Sequence, residues 1–172
     1  MTLPSRPSWR LAAASAIAVV LGVLLGGCTS AGSSGVDRGS SGWEEGAGAP
    51  EAAAFMKVRI PEGATEVKGA VRAQPQERLY LLSFLTDEKT AESVVEDLRP
   101  DHPLRAAHGT SSLGGDGFTH LGLAPPQSLP GVRTASACPP CVGDARRSGI
   151  QGVEVHVGAG GGGRVRLYLV AY

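Results

Sequence analysis

Two alternating runs near the end of the chain constrain its fold most. Val153, Val155 and Val157 alternate with Glu154 and His156, and Val165, Leu167, Leu169 and Ala171 alternate with Arg164, Arg166 and Tyr168. Successive side chains of a strand point to opposite faces, so each run reads as a strand with its apolar face on a core and its polar face in solvent. Residues 158–163, GAGGGG, lie between them, and the whole predicts a C-terminal β-hairpin.

Further strands follow from the same pattern. Val58 and Ile60 alternate with Lys57 and Arg59 over residues 56–60, and Val67 and Val71 mark a second run over residues 66–72. Residues 79–85, LYLLSFL, are apolar at nearly every position, as a central strand covered on both faces requires. A helix is expected next: Thr86 caps it, Asp87 and Glu88 occupy its first turn, Arg99 its last, and Pro100 ends it. Ala91, Val94, Val95 and Leu98 fall at i, i+3, i+4 and i+7, so they form its core stripe, while Glu92, Glu96 and Asp97 form its solvated face. Residues 101–151 read as mostly loop, with one short strand at 118–123. The expected class is α+β: an antiparallel sheet of four to six strands, one principal amphipathic helix and the C-terminal hairpin.

The N-terminus has a different chemistry. Arg6 and Arg10 precede residues 11–25, which are uncharged and mostly aliphatic, the layout of an export signal. Fifteen helical residues rise about 22 Å, short of the roughly 30 Å hydrocarbon core that a permanent anchor must span. The segment ends in Leu25, Gly26, Gly27 and Cys28, which resembles the lipobox of bacterial lipoproteins. The resemblance implies that the Cys28 thiol receives a diacylglyceryl group and becomes the first residue after cleavage. Two or more acyl chains anchor a protein stably where one is marginal. The expected divisions are a signal peptide at 1–27, lipidated Cys28 with a Gly/Ser-rich tether to residue 50, and one small domain at 51–172. The tether's random-coil reach is about 25 Å. Signal, tether and small domain together look like the small lipoproteins of high-GC Gram-positive bacteria, held on the extracytoplasmic face of the cell membrane.

Composition narrows the partners. Removing residues 1–27 takes two of the 16 basic residues and none of the 16 acidic ones, leaving a net charge of −2 with His neutral. No basic run points to nucleic acid. Residues 158–163 satisfy G-x-G-x-x-G in form, but a dinucleotide fold needs a helix next and an acidic residue about 20 positions on. Here a strand-like run follows and the chain ends, so no cofactor is expected.

Cys138-Pro139-Pro140-Cys141 is the one concentrated chemical motif. It reads as a structural disulfide, a thiol-disulfide redox pair, or half of a metal site. A metal would need two more ligands among His102, His108, His120 and His156, none of which has finger-like spacing. With Cys28 taken by lipid, one cysteine pair is left in an oxidising compartment, which favours the disulfide. Asp101 with His102 and the Ser111, Ser112 pair lack any hydrolase signature. The expectation is therefore a non-catalytic binding module whose partner is an envelope protein or a cell-wall component. The alternative is an envelope redox protein or enzyme using Cys138 and Cys141.

Overall fold

The computed structural model describes residues 42–107, 115–138 and 140–172. Cys28, His108, Ser111 and Ser112 fall outside them.

One antiparallel sheet of seven strands carries the domain, in the order β1-β2-β3-β7-β6-β5-β4. The strands are β1 (Trp43–Gly48), β2 (Thr65–Ala73), β3 (Arg78–Thr86), β4 (Arg105–Ala106), β5 (Arg133–Ala137), β6 (Val153–Gly161) and β7 (Arg164–Ala171). Among the described residues three α-helices accompany them, α1 (Ala49–Met56), α2 (Glu88–Asp97) and α3 (Gly115–His120). The class is α+β as expected, but the sheet exceeds six strands and α2 has two companions.

The hairpin forms where the alternation places it, with β6 paired to β7 from Val153 opposite Ala171 to Gly161 opposite Arg164. Its tip needs left-handed backbone at three successive positions, and Gly161, Gly162 and Gly163 supply it at φ of 81°, 59° and 75°. β7 also pairs with β3, whose Leu81, Leu82 and Phe84 are fully buried. Both faces of this central strand are covered, as its continuous apolar run requires.

Parity separates two cores. Leu82 and Phe84 of β3, Leu167 and Leu169 of β7 and Val153, Val155 and Val157 of β6 face α1 and α2. Leu79 and Leu81 of β3 and Tyr168 and Val170 of β7 face the other way, onto Phe118 of α3 and the half-buried Leu121, Leu123 and Leu129. The face expected to lie in solvent is therefore roofed, and Glu154, His156 and Arg166 are buried.

α2 meets its sheet through Ala91, Val95 and Leu98, all buried, while Val94 sits half-buried at the margin. Its cap is Asp87, whose Oδ1 accepts from the Thr90 N–H at 2.9 Å. Thr86, expected in that role, is instead the last residue of β3, and Arg99 lies beyond the helix in left-handed backbone at φ 54°.

Three further expectations are corrected. Residues 56–60 are not a strand, because α1 runs to Met56 and Lys57 closes it in the left-handed region at φ 55°. Residues 118–123 are not a strand, because α3 holds Phe118 against Tyr168 edge to face at 5.0 Å. Folded structure also starts within the expected tether, since β1 pairs Trp43 with Arg72 and Gly48 with Ala70. Glu51 explains the start of α1: its Oε2 accepts from the Gly48 N–H at 2.8 Å. Gly69 lets α1 come close, because a Cβ there would lie 2.4 Å from the Ala49 Cα.

Candidate functional site

Chemistry concentrates where the chain leaves β5 and returns to β6. Cys138 and Cys141 are disulfide-bonded, Cys141 fully buried and Cys138 half-buried. The Cys141 N–H donates to Ile150 O at 3.1 Å, which closes the loop on itself. A short 3-10 turn, Ala145–Arg147, lies inside it, capped by Asp144 through the Arg146 N–H.

Arg147 is the centre of this region and is 1% exposed. Its Nε donates to Met56 O at 2.9 Å. Nη1 donates to Asp97 O at 3.0 Å and to Asp144 Oδ2 at 2.7 Å. Nη2 donates to Lys57 O at 3.1 Å and to Asp97 Oδ2 at 2.8 Å. All five guanidinium donors are thus engaged. Three of the acceptors are carbonyls at the ends of α1 and α2, where orphan oxygens and the helix dipole both favour a cation. Arg146 adds a second cation to Asp97, at 3.0 Å. The Arg147 hydrogen bond holds the Asp97 carboxyl below its ordinary range, against a smaller opposing effect of burial. At Asp144 burial pushes upward, but the bonds from Arg147 and the Arg146 amide together outweigh it and the net shift is down.

A cleft of about 510 Å³ opens beside this clamp. Leu98, Arg99, Asp101, Cys138, Pro140 and Val142 line it. Val142 is 81% exposed, an apolar side chain held out on a closed loop. A second cleft of about 430 Å³ lies between α2, the 100–104 segment and β5. Val95, Pro100, Pro103 and Leu104 give it apolar walls, and Glu92, Glu96 and Arg133 give it charge. Arg133 is drawn toward α2 by ion pairs with Glu88 and Glu92.

The roofed face of the sheet holds another polar group. His156 Nε2 lies 3.6 Å from Glu154 Oε1, and Arg166 Nη2 bonds Glu66 of β2. Tyr168 stands opposite His156, and burial pushes its hydroxyl above the usual range, with Arg166 opposing in part. Ser83 donates to Leu167 O at 2.8 Å. His156 Nδ1 and Arg166 Nη1 are buried without a hydrogen-bond partner among the described residues. Of these groups Tyr168 packs against Phe118 of α3, and none of them lines the clefts described above.

The residues singled out in the sequence fall in separate places. His120 stacks on Trp43 with ring centroids 4.2 Å apart, His102 is exposed, and His156 is buried beside Glu154. Among the described residues no three His, Cys, Asp or Glu side chains converge to hold a metal, and none of the helices is long and apolar enough to cross a membrane. Sequence reasoning missed Arg147 and its partner Asp97, fifty positions away. Only the i, i+3 pair Asp144 and Arg147 carried a local signal. No protein-family model, curated protein or solved structure matches the chain.

Proposed function

We propose that this chain is a lipoprotein anchored through Cys28 on the extracytoplasmic face of the cell membrane, and that its domain is a non-catalytic binding module for an envelope protein or a cell-wall component. The observation that supports a binding role is the open 430 Å³ cleft against α2. A concave site of that size, with apolar walls and a few charged groups at its rim, suits a small ligand or a partner's side chain. Anchoring rests on the basic start, the short apolar segment and the cysteine that follows Gly27.

A photoreactive amino acid at Leu104, inside the cleft, tests the binding role in intact cells. A discrete adduct at Leu104, absent from the same probe at Glu62 in an exposed turn, is the expected result. Equal labelling at the two positions ends the binding proposal. Anchoring is read separately, by labelling with a fatty-acid analogue: the natural chain takes up label and Cys28→Ala does not. No label on the natural chain, beside a labelled lipoprotein control, overturns the anchor and leaves the binding result intact.

A further inference from the structure

We propose that the Cys138–Cys141 disulfide is a thiol-exchange site, attacked at Cys138 by a dithiol of the extracytoplasmic space, and that its opening releases the Arg147 clamp. This goes beyond the binding role and rests on two independent observations.

The first is the unequal burial of the two cysteines. Cys138 lines the 510 Å³ cleft, whereas Cys141 is fully buried behind it. Exchange requires a thiolate to reach one sulfur and expel the other. The cleft delivers an incoming thiol to Cys138 and makes Cys141 the leaving group. Arg99, Asp101 and Asp144 give the same cleft charges of both signs, so access rather than net charge is what it offers the incoming thiol.

The second is what the loop holds in place. From Cys141 a short relay runs to the clamp: the Asp144 N–H reaches Cys141 O at 3.4 Å, the Arg147 N–H bonds Asp144 O at 2.9 Å, and the Ile150 N–H bonds Arg147 O at 2.8 Å. Arg147 in turn ties Met56, Lys57 and Asp97, at the ends of α1 and α2. The disulfide closes residues 138–141 and so fixes the backbone at Cys141, where this hydrogen-bonded relay to the cation begins, and opening it frees that end of the relay.

The step balances. A thiolate of the partner bonds to Cys138 Sγ, the bond to Cys141 Sγ breaks, and Cys141 leaves as a thiolate that takes a proton from solvent. The partner's second thiol loses its proton and attacks its own sulfur in the mixed disulfide, and Cys138 leaves as a thiolate that is protonated in turn. The protein pair is reduced and the dithiol becomes a disulfide.

The test uses the full lipidated chain in detergent. Glutathione is added, the reaction is quenched with N-ethylmaleimide, and fragment masses locate each adduct. The expected result is glutathione on Cys138 and maleimide on Cys141, favoured at least tenfold over the reverse. After reduction with dithiothreitol, amide hydrogen exchange at Val58, Leu98 and Arg99 rises at least tenfold, while amides of the β6–β7 hairpin stay within twofold. A double variant, Cys138→Ser with Cys141→Ser, reproduces that exchange pattern without reductant. Glutathione mapping to Cys141 overturns the proposal. So does a folded protein that resists glutathione while the urea-unfolded chain reacts, and so does unchanged exchange at Val58, Leu98 and Arg99 after reduction.

Discussion

Arg147 is the largest fully buried side chain among the described residues, and its cost in desolvation is met by two carboxylates and three carbonyls. Removing Arg147 takes the nearest counter-charge from Asp144, whose side chain is 6% exposed, while Asp97, 49% exposed, keeps water and Arg146. Breaking a buried pair of the first kind costs about 3 kcal/mol. Arg147→Ala is therefore expected to lower unfolding stability by about that amount in a urea titration, and a change within experimental error would show that the clamp contributes nothing. The acid limb belongs to the same cluster. Asp97 and Asp144 are held below their unfolded value of about 3.9. Their contribution is present above that pH and is lost as pH falls through the lower, folded values. Stability of the natural chain should decline below about pH 4, with a shallower decline in Arg147→Ala. Parallel limbs in the two proteins would place the acid sensitivity elsewhere.

At the scale of elements, α2 grades its own stripe. Val95 is 4% exposed and Val94 only half-buried, so a charge at Val95 has no route to water while one at Val94 can turn outward. Val95→Asp should cost several kcal/mol and Val94→Asp markedly less, read as two shifts in Tm of clearly different size. Equal shifts would mean that the helix is rotated from its described position. The elements that were legible in the sequence share a reason. β3, α2, β6 and β7 each carry enough large apolar residues to set a period, whereas in β2 only Val71 of the expected Val67, Val71 pair is buried, Val67 being 38% exposed. β5, RTASA, packs small side chains and gives no such signal. α1 hides because its stripe is built mainly of alanine, whereas the alternation of Val58 and Ile60 just after it is accidental to the turn at Lys57. At the candidate site the cysteine pair was legible from spacing and parity. The cation beside it was not, because an arginine in a polar loop looks solvated until α1 and α2 close over it.

For the domain as a whole, one sheet serves two cores, and the hydrogen-bonded strands β3 and β7 belong to both. Neither core keeps its floor if the other loses its strands, so unfolding should be a single cooperative transition. Trp43 makes this measurable: it is the one tryptophan among the described residues, and it sits on the roofed side against His120, with the Arg72 guanidinium 5.6 Å from its ring. Its fluorescence and the far-ultraviolet dichroism of the sheet should give coincident urea midpoints. An earlier fluorescence midpoint would mean that the α3 side melts on its own.

The position of Trp43 also has a mechanical consequence. It opens an edge strand that is registered to its neighbour only at Trp43 and Gly48, with an irregularity between them. Any pull transmitted along the chain from residues before it enters the fold at this point. An edge strand with so few pairs yields strand by strand from its end, so tension would lift Trp43 from His120 and strip β1 from β2 while β3, β7 and β6 still hold. The first structure lost under load would be the corner that holds Trp43, and the clefts on the α2 side would keep their shape.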